Sequence, residues 1–157
     1  MGKLINLVAF QVTWLACVWS AGAGKPAWGA AVFAVSITLH LLLSNDRKGE
    51  LLLLVTAGAV GLAAESVLVA MGAIQFPGAW LPFWMILLWV NVATTLRVSL
   101  AWLQGRYIVA AIAGAAAGPL AYLGGQRLGA IEVQQPLAVA VEWAVATPLL
   151  LWFARER

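Results

Sequence analysis

The chain has 157 residues, of which 64% are hydrophobic and only 10% charged, and its mean hydropathy is +0.95. A soluble domain is nearer half apolar and a quarter charged, so water is excluded as the solvent for most of this surface and a bilayer takes its place. The net charge of +3 comes with no basic stripe and no zinc-like ligand spacing, so no nucleic-acid partner is expected.

Six apolar segments follow one another, at about 3–22, 27–44, 50–72, 81–103, 106–128 and 134–153. Each is near the roughly 20 residues that cross a hydrocarbon core of about 30 Å. The connections are short, among them AGAGKP, SNDRKG, AIQFPGAWLP and QGR, so the expected architecture is all-α: a single membrane domain, 1–157, folded as a six-transmembrane-helix bundle.

The first segment begins with Lys3 and ends in the small trio Ala21-Gly22-Ala23, which imitates a signal peptide and its cleavage site. Asn6 and Gln11 suit a packed helix better, and we read it as the first transmembrane helix. Cys17 is the single cysteine, so it forms no internal disulfide, and its apolar setting makes it a small buried hydrophobe. The second segment carries the single histidine, His40, near its end. With no second histidine and no cysteine nearby, His40 is expected to be a hydrogen-bonding group at the interface, with neither a metal nor a cofactor bound.

The third segment contains GLAAESVLVA, with Glu65 in an otherwise apolar run. A charge at the bilayer centre costs roughly 2.5–3.5 kcal/mol on insertion scales, so Glu65 should face the protein interior. Ala57, Gly58 and Gly61 precede it on the same helix face and allow close helix approach. The following IQFPGAWLPFW stretch carries no charge and reads as an interfacial loop or as a lid over a lipid-facing opening.

The fourth segment is the most polar, with Asn91, Thr94, Thr95, Arg97 and Ser99 on more than one face, so it should lie centrally. Arg97 is a candidate for holding an anionic group such as a lipid phosphate, or for reaching to the headgroups. The fifth segment, with GAAAGPLAYLGGQRLG, has Gly114 and Gly118 at GxxxG spacing, repeated by Gly125 and Gly129. These, with Gly61, are candidate helix-packing positions, and Pro119 frees a backbone carbonyl near residue 115. The sixth carries Glu142 between Ala138 and Ala146.

A rise of about 1.5 Å per residue places Glu65, Glu142 and Tyr122 at one level, with Asn91 and Gln11 just below and Arg97, His40 and Asn6 near the opposite surface. Glu65, Glu142, Asn91, Tyr122 and Gln11 are therefore candidates for one polar ligand-binding cluster, and Arg97 and His40 for an anion site in the inner leaflet. Two carboxylates that meet there cannot both ionise comfortably, and one would hold a proton. Lys3, Arg47, Lys48, Arg106, Arg155 and Arg157 gather at the end holding both termini, against Lys25 and Arg127 at the other, so both termini are expected in the cytoplasm. No nucleophile elbow, His box, P-loop or CxxC is present, which leaves the question of an enzyme open.

FQVTWLACVWSAG, LVAMGAIQFPG, LPFWMILLWVNVATTLRVSLAWL and above all GAAAGPLAYLGGQRLGAIE resemble an uncharacterised bacterial inner-membrane family, domain of unknown function 2878. The resemblance covers nearly the whole chain and implies a multi-pass protein of the bacterial inner (cytoplasmic) membrane. Relatives lie near genes for cyclopropane-fatty-acid-synthase-like methyltransferases and flavin oxidoreductases, which implies by association a link to acyl-chain modification. An acidic residue matches Glu65, whereas Arg97 stands where a smaller polar residue is expected. The first expected function is a lipid-binding protein or an accessory of lipid modification, its groove opened by the outer loop and helix five and ended by the polar cluster. The alternatives are a small transporter or substrate-capture subunit, and a structural partner of a membrane protein or of a second copy through a Gly114–Gly118 face.

Overall fold

The computed structural model describes residues 2–155; Arg157, counted above among the basic residues, lies outside them. Six helices run antiparallel in sequence: α1 (Lys3–Gly22), α2 (Pro26–Leu42), α3 (Arg47–Ala70), α4 (Phe83–Leu96), α5 (Tyr107–Arg127) and α6 (Pro136–Phe153). By length and composition α1, α3, α5 and α6 can each cross a membrane, while α2 and α4 are shorter apolar helices. Helix α4 is central and packs against α1, α2, α3 and α6, and α5 and α6 form a closely packed hairpin.

Each boundary has a local cause. Pro26 and Pro136 open α2 and α6 at the position where a missing N–H costs nothing. Asp46 caps α3 by accepting from the Gly49 N–H at 3.0 Å. Helix α5 continues through Pro119 without interruption.

The sequence pattern carries the fourth helix to residue 103, but α4 stops at Leu96 and a turn leads into a short 3-10 helix, Ala101–Leu103. The hydroxyls of Thr94 and Thr95 donate back to the carbonyls of Asn91 and Val92 at 2.7 and 2.6 Å, in competition with the helix ladder. The Ser99 hydroxyl donates to Asn6 Oδ1 at 2.7 Å, and the Gln104 amide donates to the Leu96 carbonyl. The polar string that suggested a two-faced helix is also what ends it.

Opposite the face at which α1 begins and α6 ends, called here the terminal face, two connections meet in a cap. Strand β1 (Ile74–Gln75) pairs antiparallel with β2 (Glu132–Val133), with Ile74 opposite Val133. The Ala73 carbonyl accepts from the backbone N–H groups of Gln134 and Gln135, which fixes the strands over the bundle. Phe76 packs edge-on against Trp84 at 5.7 Å, while Pro77 to Trp80 stay exposed. Part of the IQFPGAWLPFW stretch is therefore a bound cap, not a loose lid.

Candidate functional site

Two polar groups and one apolar groove stand out. The first polar group centres on Glu65, which is fully buried. Its Oε1 accepts from the Trp89 indole N–H at 2.8 Å and from the Tyr122 hydroxyl. Burial of a carboxylate demands such donors, and the sequence supplies them from α4 and α5. Glu142 lies on α6, next to Trp143, whose ring stacks on the Trp89 that donates to Glu65. Both its carboxylate oxygens are buried and, like Glu65 Oε2, Trp143 Nε1 and Thr147 Oγ1, find no hydrogen-bond partner among the described residues.

Aromatic packing ties this group together. The Trp89 and Trp143 rings stack with centroids 4.6 Å apart and planes 17° from parallel. Gly61 backs Trp89, where a Cβ would sit 2.6 Å from the Trp89 Cβ; Gly118 backs Trp143, where a Cβ would sit 2.7 Å from the Trp143 Cβ. Gly114 is pressed against Thr147 in the same way. Gly114 and Gly118 thus face α6 and are buried, so they offer no external docking surface.

The second polar group joins the helix ends at the terminal face. His40 Nε2 and Glu50 Oε2 are 2.9 Å apart. The Arg97 guanidinium donates to the Ala154 carbonyl at 3.0 Å and to Glu50 Oε1 at 3.4 Å, with Asp46 Oδ2 at 3.7 Å. Arg97 is therefore engaged within the protein and does not reach out to headgroups. Glu50 is the partner that charge placement alone overlooked; its position in the first turn of α3, one helix-end away from His40, was the available signal.

The remaining candidates separate from the Glu65 group. The Asn91 amide donates to the Phe10 carbonyl at 3.0 Å, joining α4 to α1. Gln11 is exposed and takes no part. Gly125 packs near Ile131, but Gly129 lies beyond the end of α5 with φ +75°, so it ends the helix and does not extend a GxxxG face.

The groove lies between α1, α4 and α5 and has a volume of about 270 Å³. That is near the lower bound of the roughly 300–1,000 Å³ typical of ligand pockets. Trp84, Trp89 and Trp143 form its deep wall, Ala113, Ala117 and Ala121 one side, and Leu7, Phe10 and Trp14 the other. Near the cap α1 and α5 meet, with Gly22 against the Leu128 carbonyl and Gly124 within reach of Trp14. Towards the terminal face they part, and the exposed Leu7, Ala113 and Ala117 leave the groove open sideways.

The family model described as protein of unknown function (DUF2878) matches residues 3–149, a span that includes Glu65, Glu142, Glu50, Arg97 and most of the groove but ends before Leu150 and Ala154. The chain belongs to this family. No curated protein and no solved structure matches it. In this DUF2878 chain Glu65 and Glu142 do not line the groove, whereas Tyr122 and Trp89 do. The two aromatic residues turn their polar atoms to Glu65 and give the groove carbon surface. Trp89 and Trp143 are the residues that the sequence reading missed: a buried carboxylate needs N–H or O–H donors, and a tryptophan on a neighbouring helix supplies one.

Proposed function

We propose that this protein holds the hydrocarbon chain of a membrane lipid in its lateral groove, as a lipid-binding protein or an accessory of acyl-chain modification. The observation that carries the reading is the groove's apolar wall together with its sideways opening between α1 and α5. An apolar cleft facing lipid fills with hydrocarbon, because neither water nor a polar solute finds partners there. The Glu65 group contributes by fixing the wall: one carboxylate oxygen sets the orientation of both Trp89 and Tyr122.

In this reading all six helices cross the bilayer and the terminal face is cytoplasmic. Lys3, Arg47, Lys48, Arg106 and Arg155 support that orientation. Helix α4 spans only about 21 Å at 1.5 Å per residue, yet Arg97 just after it already meets Glu50 and the Ala154 carbonyl at the terminal face. A bacterial inner membrane is the proposed location.

Native mass spectrometry of protein released from membranes tests the groove. Wild type is expected to carry a lipid, and Ala117→Trp, which fills the open side, to lose it. Val55→Trp on the exposed face of α3 is the control and is expected to keep it. Equal lipid retention by all three overturns the reading.

A second reading, a proton-handling transporter, is favoured by one observation: the Glu142 carboxylate, like Glu65 Oε2, is buried without a hydrogen-bond partner among the described residues. A hydrophobic carbodiimide that modifies Glu142 and abolishes proton-linked uptake in vesicles would support it; an unmodified Glu142 would dismiss it.

A further inference from the structure

We propose that the occupant is one acyl chain of an anionic glycerophospholipid from the leaflet at the terminal face, with its phosphate against Lys3 and Arg106. This deepens the chain-binding reading above and rests on it. Three features of the groove carry the inference.

The first is length. The α1 wall of the groove runs from Leu7 to Val18, and at about 1.5 Å per residue this is about 16 Å. A hydrocarbon core of about 30 Å gives each leaflet about half of that thickness. The groove is therefore about as long as one leaflet is thick, a length that suits a single acyl chain and is too short for a lipid that spans both leaflets.

The second is direction. The cap end is shut by the approach of Gly22 to the Leu128 carbonyl and by Ile131 beneath β2. The terminal-face end is lined by Leu7, Leu100 and Leu103, of which Leu7 is exposed. A chain enters with its methyl end towards Trp84 and leaves its headgroup at the terminal face.

The third is charge. Lys3 stands one helical turn before Leu7 on the same side of α1, and Arg106 follows Leu103 in the turn before α5. Both are exposed, and neither forms a salt bridge among the described residues. Among the described residues the acids at this face, Asp46 and Glu50, lie by Arg97, and Glu50 also holds His40. The mouth is thus basic above an apolar slot. That combination matches a phosphate headgroup with net negative charge; a zwitterionic headgroup brings its own cation.

The test uses the full chain in nanodiscs with phosphatidylglycerol or phosphatidylcholine bearing the same diazirine-labelled acyl chain. Adducts on the groove walls are expected with both lipids, with a preference of about tenfold for phosphatidylglycerol when the two compete. Lys3→Gln with Arg106→Gln should remove the preference and keep the phosphatidylcholine adducts, and Lys3→Arg with Arg106→Lys should restore it. Inorganic phosphate in excess should not displace the chain; if it does so in wild type alone, the mouth is a free-anion site and the lipid assignment is wrong. Equal labelling by both lipids in wild type overturns the headgroup inference and leaves the groove intact. Absence of groove adducts from either lipid overturns the chain-binding reading itself.

Discussion

Trp89 of α4 and Trp143 of α6 stack face to face, 4.6 Å between centroids, and a glycine lies behind each ring. Gly61 of α3 and Gly118 of α5 thereby join the same stack, so one aromatic pair sets the spacing of four helices. In lipid, helix association gains little from hydrophobic burial and depends on close packing, which makes this contact a main source of cohesion. Gly61→Ala and Gly118→Ala are each expected to lower stability by about 1–3 kcal/mol through overpacking. Thermal unfolding in detergent, read by tryptophan near-UV circular dichroism, checks this; an unchanged midpoint for both variants would show that the stack tolerates displacement.

Glu65 presents one oxygen to two donors. Glu65→Gln keeps a carbonyl acceptor for Trp89 and Tyr122, whereas Glu65→Leu leaves a buried indole N–H and hydroxyl unpaired. Each stranded donor costs about 1–3 kcal/mol, so Glu65→Leu should be clearly the less stable of the two variants. Denaturation in mixed micelles gives the ranking, and equal midpoints would mean that Glu65 does not set these aromatic residues.

At the terminal face Arg97 connects Glu50 of α3 with the Ala154 carbonyl after α6. Arg97→Met leaves Glu50 with His40 alone, and because the pair is only part-buried the cost is expected to fall below the about 3–5 kcal/mol of a fully buried pair. Pairing it with Glu50→Gln should recover part of the loss, with a coupling of about 0.5–3 kcal/mol. A double-mutant cycle measures that coupling, and strictly additive effects would remove the proposed latch.

Asn6 is a further link of this kind. Its amide donates to the Thr94 carbonyl at 3.0 Å and its oxygen accepts from Ser99, so it covers the place where α4 ends. Asn6→Leu should destabilise by about 1–3 kcal/mol and increase hydrogen exchange at residues 94–100 ahead of the rest of α4. Uniform exchange along α4 would contradict that role.

The positions of the helices were legible because a run of about 20 apolar residues between polar turns has few other readings. The end of α4 was not, because Thr94, Thr95 and Ser99 act through hydrogen bonds to specific carbonyls and to Asn6, and hydropathy does not register these. Burial of Glu65 was legible from the small residues beside it. Its partners were not, since an indole N–H reads as aromatic and apolar in the sequence. Equal depth grouped Gln11 and Asn91 with Glu65, because depth does not specify rotation about a helix axis. Gln11 turns outward and Asn91 turns to α1. A groove at helix five was expected from the sequence, but opened by the outer loop and ended by the polar cluster; the groove that forms lies between α1, α4 and α5, where small residues on α5 leave a gap, and its lining lacks Glu65, Glu142 and Asn91.

An experimental density map of the protein in a phospholipid bilayer tests the central claim most directly. The account predicts a continuous rod of density between α1 and α5, lying along Ala113 and Ala117 and ending near Trp84. A groove closed by contact of α1 with α5 along their whole length, with no such density, would contradict it.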